Sequence, residues 1–425
     1  MDDLPNLGKP RADGTLGSRA IICGGSLGGL FAAAMCSFHF DSVVIVEPES
    51  TAGDQSIEKP KSHEVRTTAD GQNRAIPLRT RVVQYLASLV FLPPCLMAMR
   101  QLFPKIEDEL EYFGIGTLPN TLEGYYGSVC LVKPYKATDV DCPKILPITR
   151  SLFETLVRRL VFTYRANITF LQGSVDKFER PKEDSTKLSG VSVKTPQGDR
   201  FEKASFIIVC IAVGSWGDNE KPHTIPEMRL TIKSIHGADS TPDFIWQTLD
   251  FLEEHEDDCP CWIYDANAGK MSNILYHKGS EALPSNWVAI GDAVTKLNPI
   301  YGQGTTKAVI DVVTLDSIFR ATPASQGLAP DLPKKFFVKR APRVLGLWEG
   351  TKAPDYSYAT TQPAKGKTNA AGTYARNLGL TTNKAGREDL RLAKVFYHVQ
   401  SCVAPPTDLL SPVLVAKVVK KWIMG

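Results

Sequence analysis

Residues Arg19 to Ser50 read RAIICGGSLGGLFAAAMCSFHFDSVVIVEPES. The apolar run Ala20 to Cys23 stops at a pair of glycines, as a buried strand does when it enters a turn. The small apolar residues from Leu27 to about Phe38 read as a helix, and Ser42 to Val46 as a second buried strand ending at Glu47. Strand, glycine turn, helix and strand make a βαβ unit, which implies a parallel sheet and an α/β fold.

Inside the turn, Gly24, Ser26 and Gly29 hold the three glycine positions of G-x-G-x-x-G, with serine in the second, and Leu27 opens the helix. Glu47 follows Gly24 by 23 residues (47 − 24). Chemistry gives each position a reason. Glycine permits a tight turn and close approach of backbone to a ligand, the helix N-terminus attracts a pyrophosphate, and an acid at the tip of the second strand accepts from a ribose hydroxyl. An acid there also favours a free 2′-hydroxyl, hence FAD or NAD over NADP. The other reading is a tight βα turn that binds nothing.

A second glycine-rich segment, GDAVTKLNPIYGQGTTKA, spans Gly291 to Ala308 and leads into an apolar, helix-like stretch. Such a backbone before a helix suits either a bound anionic group or an ordinary strand-turn-helix connection.

Composition narrows the classes. The chain has 425 residues, 43% hydrophobic and 22% charged, with a net charge of +3. That is an ordinary globular balance without the excess basicity of a nucleic-acid partner. Nine cysteines, an odd number and mostly scattered, read as reduced thiols of a cytoplasmic protein. Cys259-Pro260-Cys261 has no second cluster nearby, so a surface loop and no metal site is expected.

The opening eighteen residues show no basic and apolar signal and read as a flexible leader. Val83 to Met99 is shorter than a spanning helix of ~20 residues and is broken by Pro93-Pro94; two short buried helices are expected, the alternative being a greasy cavity wall or membrane-surface contact. At the other end, LLSPVLVAKVVKKWIMG mixes apolar residues with Lys417, Lys420 and Lys421. It reads as a terminal helix docked on the protein, or as a peripheral contact with an intracellular membrane.

The fingerprint together with WVAIGDAVTKLNPIYGQGTTKAV (Trp287 to Val309) resembles the flavoprotein monooxygenase family, the hydroxylases and epoxidases of the 4-hydroxybenzoate hydroxylase and squalene epoxidase type, in its secondary-metabolism branch. The resemblance implies FAD as cofactor. It places Asp292, after Gly291, on the ribityl chain, and lays Pro299, Gly302, Gln303 and Gly304 against the pyrophosphate and flavin ring. In LPITRSLFETLVRRL it makes Arg150 the arginine that reaches FAD, and in NITFLQGSVDKFE it sets Val175 beside the adenine.

The implied fold is Rossmann-like and of glutathione-reductase type, with an abbreviated antiparallel β substrate domain and C-terminal helices. Residues 1–18 form the leader; 19–80, 145–216 and 284–325 a discontinuous FAD-binding domain; 81–144 and 217–283 the substrate region; 326–425 a surface loop and terminal helices. The implied reaction inserts one oxygen of dioxygen into an apolar or aromatic small molecule through a flavin C4a-hydroperoxide, with NAD(P)H as reductant. His63, Arg66, Arg74, Arg79 and Arg81 fall where relatives place substrate-side residues, and Tyr356, Tyr358 and Tyr374 lie in a long polar loop. No catalytic residue is singled out.

Two departures stand out. The strand toward Gly214 ends Ile211-Ala212-Val213-Gly214-Ser215-Trp216, without the family's aspartate for FAD and the reducing nucleotide. Only 74 residues (217–290) separate it from Gly291. An oxidase or cyclase on the same scaffold, or a flavin-binding protein without redox turnover, remain as alternatives. The halogenase signature W-x-W-x-I-P is absent.

Overall fold

A computed structural model describes residues 2–50, 63–67, 73–82, 84–121, 125–126, 129–130, 133–209, 224–234, 243–254, 271–298, 302–355, 368, 370, 381–382, 384–387 and 389–424. Its centre is a parallel sheet of β1 (Gly17–Cys23), β2 (Phe40–Glu47), β3 (Ile168–Gln172), β4 (Phe206–Val209) and β5 (Trp287–Ala289), in the order β3-β2-β1-β4-β5. Ile21 lies opposite Val44 on one side and Ile207 on the other. The chain first builds outward from β1 through β2 to β3, then returns to add β4 and β5. Loops leaving β1 and β4 therefore diverge and open a crevice at the carboxyl ends of the strands, the usual place for a ligand in such sheets.

Period-two geometry sorts the strand residues. Ala20, Ile22, Val43, Ile45, Phe206 and Ile208 join one apolar cluster with α1 (Leu27–Cys36), α2 (Pro93–Leu102), α3 (Arg150–Tyr164) and α4 (Gly304–Arg320). Ile21, Cys23, Val44, Val46 and Ile207 face the other way, against Val191 and Val193 of a three-stranded antiparallel meander, Ser174–Glu179, Gly190–Thr195 and Gly198–Lys203. Burial on both faces is why these strands read as continuous apolar runs. Beneath the helices, Phe40 stacks on Phe206 at 5.6 Å, and Phe319 meets both rings edge-on at 5.7 and 5.3 Å.

Several expectations hold and others shift. GVSVKTPQGDRFEK (Gly190 to Lys203) reads as a hairpin through Pro196-Gln197-Gly198-Asp199, and the chain does turn there, with Gly198 at φ +116°. Val83 to Met99 differs: a strand, Ser88–Phe91, pairs with Lys144–Thr149 before α2 begins. The prolines explain this, since Leu92 before Pro93 is held extended while two prolines suit the first helical turn. Where a leader is expected, Leu4, Leu7 and Leu16 are buried, and Arg11 donates to Phe319 O at 2.6 Å.

Within 217–283, the described residues include helices Ile225–Ser234 and Asp243–Glu254 and a short strand Ser272–Asn273 paired with Thr295–Lys296. The C-terminal part supplies α5 (Leu332–Asp355), α6 (Leu390–Gln400) and α7 (Pro412–Met424). Leu414 and Val418 of α7 pack with Leu392 of α6, while Trp422 and Ile423 are exposed. Among the described residues no helix is long and apolar enough to cross a membrane. Cys23, Cys36, Cys95, Cys142 and Cys402 are free, buried thiols.

Replacing Phe206 with Ala removes the centre of the stacked trio; a loss of about 3–5 kcal/mol is expected, read as a lower denaturant midpoint.

Candidate active site

The turn after β1 admits little besides glycine. Gly24 sits at φ +115°, and a Cβ on Gly29 would lie 1.8 Å from Gly24 O. The Gly25 N–H donates to Glu47 Oε2 at 2.7 Å, so the carboxylate at the tip of β2 lies against the turn. Gly173 N–H in turn donates to Glu47 O at 3.0 Å, which brings the strand carrying half-buried Val175 beside it. Ser26 is the N-cap of α1, yet its Oγ does not cap; it accepts from Arg150 Nη2 at 2.8 Å. Burial pushes the Cys23 thiol at the foot of the turn up to about 12, so it stays protonated and is no nucleophile at neutral pH.

Behind this turn lies a buried ionic cluster. Glu154, one helical turn from both Arg150 and Arg158, pairs with Arg150 at 2.8 Å and Arg158 at 3.2 Å, and it also meets Arg79. Arg79 continues to Glu47 Oε2 at 3.2 Å, Glu49 Oε2 at 3.0 Å and Gly25 O at 3.1 Å. Burial by itself raises the Glu154 carboxyl, but Arg150, Arg79 and Arg158 together reverse this and hold it below the ordinary value of 4.5. For Arg79 burial favours the neutral form, and the carboxylates of Glu154, Glu47 and Glu49 outweigh it, so its affinity for the proton rises.

The second glycine segment forms its own turn. Gly291 is at φ +61° and donates its N–H to Asp311 Oδ2 at 2.7 Å; Asp311 is held by Arg340 at 2.7 Å. Asp292 is half exposed and is bonded by the buried Lys307 of α4, which also reaches Thr295 O. Gly302, at φ +64°, leads into the N-cap Gln303 and then Gly304, the first residue of α4. The two motifs converge through their helices: a Cβ on Gly28 in the first turn of α1 would contact Ala308 Cβ of α4 at 3.9 Å.

These residues fit FAD. Two helix N-termini with glycine approaches meet in the crevice, and an acid stands at the tip of β2. At the start of α4, Gln303 Oε1 and Thr306 Oγ1 are buried without a hydrogen-bond partner among the described residues, an uncommon state that a polar ligand relieves. Among the described residues, no atom would lie within 4 Å of a Cβ on Gly304.

Gly24, Ser26, Leu27, Gly29, Glu47 and Arg150 thus gather at one turn, with Val175 at its edge; Gly291, Asp292, Gly302, Gln303 and Gly304 gather at the other. Pro299, Tyr356, Tyr358, Tyr374, Cys259, Cys261 and the stretch 211–216 lie outside the described residues, as does the Arg74 side chain. Arg79 departs from its substrate-side grouping and is buried under the fingerprint. Arg66 pairs with Glu64 on an exposed strand. Sequence reading passed over Glu154, Lys307, Asp311 and Arg340. The Arg150-Glu154-Arg158 spacing of four was a visible signal for the first, and Lys307 and Asp311 were charges within an apolar helix.

No family model and no curated protein matches the chain. Solved structures do. A flavoprotein/dehydrogenase from Cytophaga hutchinsonii superposes with a TM-score of 0.54 at 11% identity, covering 94% of this chain and 96% of that one. This chain shares the fold of that protein. PqsL of Pseudomonas aeruginosa, in complex with 2-aminobenzoylacetate, gives 0.50 at 14% identity over 84% of this chain and 100% of its own. The flavin-dependent brominase Bmp2, as a triple mutant, gives 0.50 at 12% over 96% and 99%.

Glu154→Gln leaves three arginines short of a carboxylate, and a loss of about 3–5 kcal/mol is expected. Because the folded-state value is depressed, the wild-type contribution is complete above pH 4.5 and disappears as pH falls through the lower folded value. Stability of the wild type and variant, followed from neutral to acid pH, should therefore converge.

Proposed function

We propose that the protein is an FAD-dependent monooxygenase that hydroxylates or epoxidises an apolar or aromatic secondary metabolite. The observation that carries this is the packing of α1 on α4, the helices that follow the two glycine turns, at Gly28 and Ala308, with Glu47 at one end and the N-terminus of α4 at the other. When bound, FAD supplies the activation of dioxygen and the transfer of one oxygen atom, the second leaving as water with electrons from NAD(P)H.

The chain's own residues position and shield. Glu47 would take the adenosine ribose, Arg150 and the α1 N-terminus the pyrophosphate, and the Gly302–Gly304 backbone the flavin side, with Asp292 on the ribityl chain. The packed helices beneath keep water from that end of the crevice. A glutathione-reductase-type arrangement is supported by helices on one sheet face and an antiparallel meander on the other.

Oxidase or cyclase chemistry on this scaffold is the second reading, favoured by the missing aspartate in Ile211 to Trp216. Halogenation is disfavoured by the tryptophan spacing, since no two of the six stand two apart.

The deciding experiment is an anaerobic absorbance spectrum of the FAD-reconstituted protein after NADPH and then NADH. Bleaching with either is expected; bound flavin that never bleaches, even with candidate substrates, favours the second reading, and no retained flavin rejects the cofactor. Gly302→Val places a branched side chain at positive φ, which costs about 1–2 kcal/mol locally. FAD affinity should fall roughly tenfold in a fluorescence titration.

A further inference from the structure

We infer that a cleft between residues 273–277 and α5 binds a small aromatic carboxylate. The cleft encloses about 230 Å³. An apolar cavity of about 150 Å³ already accepts benzene, so a ring or fused ring pair with one polar substituent is the right scale.

Its walls favour a flat apolar body. Leu275, Val294 and Leu345 supply aliphatic surface, and Tyr276 and Phe337 form an aromatic wall with ring centroids 4.9 Å apart and planes tilted by 30°. Trp287 backs both rings at 5.6 and 6.4 Å, which fixes the wall. A third ring can extend such a set in offset or edge-on contact.

Arg340 selects the charge. It is only 4% exposed and lines the cleft. Nε donates to Asp311 Oδ1 at 2.7 Å, and Nη2 reaches Thr295 Oγ1 at 3.1 Å and Asp311 Oδ2 at 3.3 Å. Those bonds use Nε and Nη2, and Nη1 carries the guanidinium's other two donors. Among the described residues no carboxylate lines the cleft, whereas His277 does. A ring against Tyr276 and Phe337 with its carboxylate toward Arg340 satisfies both halves, and charge-assisted bonds from a buried arginine are the stronger kind. Val294 is the one lining residue from the Gly291–Ala308 segment, and it contributes only aliphatic wall, so the site does not depend on the FAD reading. Asp311 links the cleft to that segment a second time, because it also holds Gly291 N–H.

Isothermal titration of the full chain with naphthoate and with its neutral amide tests the site. Saturable one-to-one binding of naphthoate is expected, with the amide at least about tenfold weaker. Ala341→Trp should fill the cleft and abolish binding. If that variant fails to fold, Leu345→Glu at the exposed rim should weaken naphthoate about tenfold and leave the amide unchanged. Saturating FAD should leave the stoichiometry intact. Equal affinity for acid and amide, no saturable binding, indifference to both substitutions, or displacement by FAD would each overturn the proposal.

Discussion

The buried carboxylate of Glu154 is the point on which the fingerprint region depends. It faces three arginines, each tied to a different piece of the crevice: Arg150 reaches Ser26 in the turn, Arg79 carries Glu47, Glu49 and the Gly25 carbonyl, and Arg158 lies one turn further along α3. A charge so enclosed is costly unless matched, and here the match is what draws α3, the Arg79 segment and the end of β2 into one arrangement. The glycine turn sets the shape of the backbone, and the ion cluster sets what stands around it.

A comparable clasp organises the other turn. Asp311 holds Gly291 through one oxygen and Arg340 through both, while Lys307 joins Asp292 to Thr295. Lys307, Asp311 and Arg340 come from α4 or α5, which lie against the turn rather than within it. The positions of the glycine backbones are thus decided by buried charges on neighbouring helices.

The βαβ unit was legible because its signals are local: short continuous apolar strands, glycines at fixed spacing and an acid at the strand tip. The hairpin at 196–199 was legible for the same reason. Ser88–Phe91 was not, since an apolar run of that length suits helix or strand and only its pairing with Lys144–Thr149 decides. The docking of the N-terminus escaped too, because its partners, Phe319 and Arg343, lie far along the chain. At the site, glycines and end-of-strand acids declared themselves, whereas Arg79 and Arg340 looked like any surface arginine until burial paired them.

The order of the strands also fixes an order in time. Gly24 and Gly291 are 267 residues apart (291 − 24), and Asp3 waits for Arg343, 340 residues later. As the chain is synthesised, β1 emerges first yet has no β4 beside it until about half of the polypeptide exists, and no α4 over α1 until about three quarters does. Nonlocal pairings of this kind are slow to form. Any ligand held between the two glycine segments is therefore captured late in biogenesis, and the nascent N-terminal half must keep its apolar strand out of trouble until then.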